Sequence, residues 1–499
     1  MSEKLKNAIY YRDFGAVGDG VADDFPAIIA AHEAANAKGL PVYADEGATY
    51  YIPPHAETAI IKTNTDWTGA KFVIDDREIN EVGHFAQFAS IFSVPATLPK
   101  TNLELGALNP ESKNIGVKLG FDALVYIECD QIKQYIRYGA NANSGANQQE
   151  ILLVNADGDI DPATPVVWDY PSITKAYAIP TAEEPITVRG GEFKTLANEI
   201  NPTRYIHVTR NINITRSNTT VRDIKHTVVQ VKPYRAAYGG FFNTSYCHNV
   251  LIYNCEIFCH VSSYFTLNKP DGTTQQVLLG SYELLGNHSS NIRYENVVQT
   301  NLFEEDGKLH NQGLMGTNFC KNMFFINSTI ARFDAHSGLY NLTVKGSTIQ
   351  RVNTIGTGTV IIEDTKVYGD YMMDLRSDYG GHFNGDVYLK NVTMMNPDNK
   401  DTVYLASGSW VNHFFGYKVV QPQNIYVDNL EVKGGAVFKL YTAGLDNRPD
   451  LTADTVDGVE NKNPITPTKC VKVVSNPAGT VFKVNEGETF KNTKVILPE

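Results

Sequence analysis

Carboxylates, arginines and histidines crowd into one stretch of the chain, from Glu304 to Asp386. Glu304, Glu305 and Asp306 are followed by His310. The string Arg332-Phe333-Asp334-Ala335-His336 follows, and then Asp370, Asp374, Arg376, Asp378-Tyr379 and His382. In an extended strand alternate side chains share a face, which sets Arg332, Asp334 and His336 together. A carboxyl held ionised by arginine beside a second carboxyl that keeps its proton is the arrangement that acid–base bond cleavage requires, glycosidic cleavage among others. Arg332, Arg351 and Arg376 are the cations that would hold carboxylates ionised, and a carboxyl remote from them would be the acid. His336, two residues after Asp334, is placed to act as a base or an orienting group. Ladders of Asn, Asp and Arg also satisfy turn backbones in parallel solenoids, so a structural role competes for each of these residues.

Those residues need a scaffold that stacks them. From Gly191 onward short stretches with β-branched residues at alternate positions recur, among them 325–330, 342–349, 360–367, 387–394 and 425–432. Aligning Asn327, Gly346 and Asp364 gives steps of 346−327=19 and 364−346=18 residues, and Asn391 and Asn429 follow at 27 and 38. A coil of about 20 residues with loops of variable length predicts stacked parallel strands. The register then lays Arg332 over Arg351 and Asp334 over Asn353, with Tyr371 below. Asp374 falls two coils from Asp334, or about 10 Å at two strand spacings. Tyr340, Tyr379 and Trp410 are aromatic residues that could stack a sugar or pack an edge, and His310 and His382 complete the candidate binding residues.

At the other end, Asp13–Gly20 reads DFGAVGDG. Asp23-Asp24 before Phe25-Pro26 marks a helix start, and Gly39 a helix stop. DFGAVGDGVADDFPAI followed by GLPVYADEGATYYI resembles the N-terminal signature of the pectate-lyase-like right-handed parallel β-helix superfamily. That group includes polygalacturonase-related hydrolases, polysaccharide lyases and phage tailspikes. The resemblance implies an all-β right-handed parallel β-helix with a short N-terminal capping helix. RFDAHSG and LRSDYGGHFNGD are similar to stretches of polygalacturonase-like bacterial proteins. The adjacent catalytic aspartates of polygalacturonases are not visible. The chain divides on this reading into 1–76 (cap and first coils), 77–190 (early coils with a β-rich insertion), 191–432 (main helix) and 433–499 (a C-terminal β cover).

Composition narrows the functions. A formal charge of −12 argues against nucleic acid as a partner, and no run of about 18 apolar residues argues against a membrane span. The six cysteines show no paired CxxC spacing and the histidines no HxH or HExxH spacing, so no transition metal or other cofactor is expected. Calcium on scattered carboxylates stays open. The polar stretch from Met1 to Tyr10 has no signal-peptide core, which reads as cytoplasmic as the sequence stands, and secreted only if a leader has been removed. Three functions compete for an oligo- or polysaccharide partner. The first is a glycoside hydrolase using Asp334 with Asp374 or Asp378. The second is a lyase acting by β-elimination on a uronate, with a base such as His336 or Tyr379. The third is a non-catalytic glycan-binding spike, a trimer if tailspike-like.

Overall fold

The computed structural model describes residues 7–498 except 80–88, 140–144, 201–205, 230–235, 259–262, 269–271, 302–314, 447–453, 457, 478, 488–489 and 491. The fold is an all-β right-handed parallel β-helix, and it carries the expected capping helix, Phe25–Lys38. Two compact units divide the chain. One comprises residues 1–99, 181–287 and 292–316, and the other 100–180, 288–291 and 317–499.

In the first unit each coil contributes strands to three faces. One face runs Ile9–Tyr10, Val42–Tyr43, Thr65–Asp66, Ile186–Arg189, Thr219–Arg222 and His248–Tyr253, each parallel to the next. Inside, Tyr50, Trp67, Phe72, Phe92 and Phe193 are almost wholly buried, and the Phe72 and Phe193 rings stack 4.5 Å apart. Burying such side chains contributes about 1.5–3 kcal/mol each. The cap closes over this core: Trp67 Nε1 donates to the Tyr11 hydroxyl at 2.7 Å, and that hydroxyl meets His32 of the helix at 2.8 Å. Asp24 stands at the helix start, but its carboxylate does not cap the helix. It accepts from the backbone N–H groups of Val17, Gly18 and Tyr51 and so ties the glycine turns to the next coil.

The second unit holds a four-stranded antiparallel sheet, Thr101–Leu103, Ala123–Lys133, Asn147–Val154 and Lys175–Pro180, and a second run of parallel coils. One buried ion pair joins them. Lys321, on a coil strand, donates to Glu150 of the sheet at 2.8 Å and to the Pro165 carbonyl at 2.5 Å, with both side chains under 5% exposed. The parallel pairing does not stop at residue 432. Cys470–Ser475, Val481–Lys483 and Lys494–Ile496 continue it, so the C-terminal segment adds coils to the sheet edge it was expected to cover.

The stretches read from sequence as single strands each bend once. Asn327, Gly346, Asp364, Asn391 and Asn429 take φ between 49° and 61°, the left-handed conformation, and turn the chain from one sheet face to the next. Asn and Gly reach this region at least cost, which is why the repeat shows in their spacing. Asn391 Nδ2 donates to Asp364 at 2.8 Å, and Asn429 Nδ2 donates to Asn391 at 2.9 Å. At Gly346 an added β-carbon would lie 2.3 Å from the Asn327 side-chain oxygen.

Asn391→Gly removes the side-chain bonds and keeps the corner, whereas Asn391→Ala also forces an unsuited residue into it. Urea unfolding is expected to show Asn391→Ala about 1–2 kcal/mol less stable than Asn391→Gly. Equal losses would mean that side-chain bonds, and not backbone conformation, hold the corner.

Candidate functional site

The strand Thr329–Ser337 alternates inward Phe333 and Ala335 with Arg332, Asp334 and His336 on the opposite face. Its parallel neighbour Thr348–Asn353 sets Arg351 beside Arg332 and Asn353 beside Asp334. Tyr371–Asp374 then sets Asp374 beside Asn353, and Thr402–Ser407 sets Ser407 beside Asp374. Asp334, Asn353, Asp374 and Ser407 therefore form one ladder across four coils, and the two aspartates stand two strand spacings apart, about 10 Å.

The carboxylates on this face sit in unlike surroundings. Asp334 has a side chain only 3% exposed and meets Arg332 at 2.7 Å, Arg376 at 3.4 Å and His336 Nε2 at 3.4 Å. Burial would raise its pKa, but His336, Arg332 and Arg376 outweigh burial and hold it far below the usual carboxylate range. Asp378 follows the same pattern: burial opposes ionisation, and Arg376 at 2.9 Å and Arg137 at 2.5 Å override it. Asp374 differs. It is half-buried, and while its backbone carbonyl accepts from the Thr354 N–H at 3.1 Å, its carboxyl makes no hydrogen bond or ion pair among the described residues. Burial raises its pKa, and the charges of Arg351 and Arg376 only partly offset this while Asp334 adds to it. The face thus carries one carboxyl held ionised and one biased towards its proton, on a single ladder.

Arg351 lies with its guanidinium 5.4 Å from the Tyr371 ring, and burial lowers its pKa. Arg137 was not foreseen. It comes from the loop after the second strand of the antiparallel sheet, 241 residues from its partner Asp378, and nothing in its local sequence marks it. The Tyr138 N–H also donates to the Asp378 carbonyl at 3.0 Å, so this loop is tied down beside the ladder.

Four further residues expected to bind substrate lie off this ladder. Tyr379 is 2% exposed, with Arg137 and Arg376 over its ring at 4.9 and 5.1 Å, so it offers no stacking surface. His382 is 4% exposed, packs against Tyr417 and Trp168, and burial pushes it down to about 4, so it is neutral near pH 7. Trp410 packs on the apolar cluster of Phe415, Val419 and Ile465. Tyr340 lies past the Gly338 corner, on the sheet face of Lys321 and Thr357. His310, with Glu304, Glu305 and Asp306, lies outside the described residues. Among the described residues no group of three or more His, Cys, Asp or Glu side chains is placed to hold a metal ion, and no helix is long and apolar enough to cross a membrane.

No family model matches this chain, and no curated protein matches it. Solved structures do. PfbA, a surface adhesin of Streptococcus pneumoniae, is 13% identical with a TM-score of 0.42, over 87% of this chain and 90% of its own. The endo-xylogalacturonan hydrolase of Aspergillus tubingensis is 12% identical with a TM-score of 0.37, over 96% and 99%. The Gp54 tailspike of Acinetobacter baumannii bacteriophage AP22 is 11% identical with a TM-score of 0.36, over 94% and 79%. The fold stands on the register of this chain's own strands.

The two ladder carboxyls are expected to move stability in opposite directions. Asp334 is more acidic folded than unfolded, so its contribution is complete at neutral pH and lost as pH falls. Asp334→Asn at pH 7 removes the buried carboxylate that Arg332 and Arg376 both meet and is expected to cost about 3 kcal/mol. Asp374 holds its proton more tightly folded than unfolded, so its contribution falls as pH rises through the raised pKa. Asp374→Asn is expected to raise Tm at pH 8. Calorimetry of both variants across pH checks this, and a lowered Tm in Asp374→Asn would show that its charge is satisfied.

Proposed function

We propose that this protein cleaves glycosidic bonds of an oligo- or polysaccharide by hydrolysis on the Asp334–Asp374 face. The observation that carries the reading is Asp374, a half-buried carboxyl with no hydrogen-bond partner among the described residues, biased towards its proton and laddered with an ionised aspartate. Asp374 is the general acid that protonates the leaving oxygen. Asp334 is too enclosed to meet a water directly. The group that reaches solvent is His336, 28% exposed and 3.4 Å from Asp334, and it takes the proton of the attacking water while Asp334 orients it.

The chain as a whole is acidic, yet this face gathers Arg137, Arg332, Arg351 and Arg376 against ionised Asp334 and Asp378. A glycan bearing carboxylates fits such a local excess of cations. The same arginines support a second reading, elimination on a uronate, in which a cation neutralises the sugar carboxylate and His336 removes the ring proton.

Hydrolysis by this route needs Asp374 protonated, so kcat/KM is expected to fall as pH rises through its raised pKa. In Asp374→Asn turnover should drop by about 10²–10⁴-fold and that limb of the profile should vanish. An aryl glycoside with a good leaving group should recover much of the loss. Products on uronate-rich and neutral glycans decide between the readings, because elimination leaves an unsaturated, ultraviolet-absorbing sugar and hydrolysis does not. Full turnover in both Asp334→Asn and Asp374→Asn would remove the site assignment.

A further inference from the structure

The first unit carries an open cleft of about 470 Å³ that plays no part in the chemistry above. Its floor is the outward side of one parallel sheet face. Register places Tyr10 beside Tyr43, Tyr43 beside Asp66, Asp66 beside Arg189, Arg189 beside Arg222, and Arg222 beside Tyr253. Two residues back along the middle strands Asn64, Thr187 and Thr220 lie beside the first row, with Thr187 paired to Thr220, between Pro41 and Leu251.

This surface is built and charge-balanced. Arg189 donates through Nε and Nη2 to one Asp66 oxygen at 2.9 and 2.6 Å, while the other Asp66 oxygen accepts the Thr68 N–H at 3.0 Å. Arg222 donates through Nε to Asp223 at 2.7 Å. Arg189 Nη1 and both terminal nitrogens of Arg222 make no hydrogen bond among the described residues, the Arg222 guanidinium lies 5.3 Å from the Tyr253 ring, and the two side chains are 52% and 41% exposed. Outward polar residues on a β face need no ligand to explain them taken singly. The combination here is a concave volume in the range of ligand sites, a fixed Asp–Arg pair presenting acceptor and donor side by side, and spare guanidinium donors in the same row. Such a pair matches two neighbouring hydroxyls, one donating and one accepting. Coils repeat about every 4.8 Å, close to the length of one pyranose ring, so an extended glycan lying along the row would meet a new rung at each sugar.

We infer that this cleft is a second, non-catalytic binding site for an extended, uncharged stretch of polysaccharide, laid along the coil axis from Tyr43 to Arg222. Uncharged sugars are the class because each arginine of the row has its own aspartate, unlike the cation-rich face of the second unit. The site would hold a long substrate or a glycan surface independently of cleavage, and it does not depend on whether Asp374 is an acid.

The test is affinity electrophoresis of the Asp374→Asn protein, which leaves glycans uncut under the proposed chemistry, in gels cast with xylan, galactomannan or laminarin, and with polygalacturonate as the charged probe. Retardation by at least one neutral polysaccharide is expected. Tyr43→Ser with Arg222→Ser should weaken it about tenfold, as for the loss of one or two hydrogen bonds. Thr187→Glu with Thr220→Glu, at partly exposed positions that leave the core untouched, should do the same with unchanged Tm. Both pairs placed in the otherwise native chain should leave kcat/KM on short oligosaccharides unaltered. No retardation by any neutral glycan, equal retardation of all variants, or retardation by polygalacturonate alone would overturn the inference.

Discussion

Backbone hydrogen bonds between successive coils fix which side chain lies beside which, and the corners fix where each coil begins its next face. A slip of one residue would turn every outward side chain inward and every core residue out. Left-handed Asn and Gly corners resist that slip, because few other residues adopt the conformation without strain. Asp364, Asn391 and Asn429 add a hydrogen-bonded ladder on top of this backbone preference. The placement of Asp334, Asn353 and Asp374 on one line is a consequence of that register, not of attraction between them.

On that line, electrostatics separates residues of the same type. Asp334 and Asp378 each have arginines within 3.4 Å, and these overcome the burial that would otherwise favour their protonated forms. Asp374 stands among the same cations without touching one, and there burial wins. The difference is one of distance and hydrogen bonding, since Coulomb attraction falls with separation while the loss of solvent is common to all three.

The antiparallel sheet of the second unit matters for what it brings to the coils. Lys321 and Glu150 are buried together, so removing either would leave the other charged and unpaired. With the sheet held there, its outgoing loop delivers Arg137 to Asp378. The cleft of the first unit has a similar origin. Asp66 and Arg189 are 123 residues apart yet sit on adjacent coils, because the chain leaves after Pro99 and returns at Thr181.

By itself the sequence determined the coil and its phase. Spacings of 19 and 18 between Asn327, Gly346 and Asp364 mark the corners, and strand alternation puts Arg332, Asp334 and His336 on one side. Both are local properties, set by backbone conformation and a two-residue period. Only the tertiary structure decided that Tyr379 and His382 are enclosed, that Asp334 is sealed behind its arginines and that Asp374 is left bare. It also decided the Tyr10–Tyr253 row, whose neighbours are joined by excursions that keep no period. Burial and proximity across such excursions depend on how separate segments pack, and no spacing along one chain encodes that.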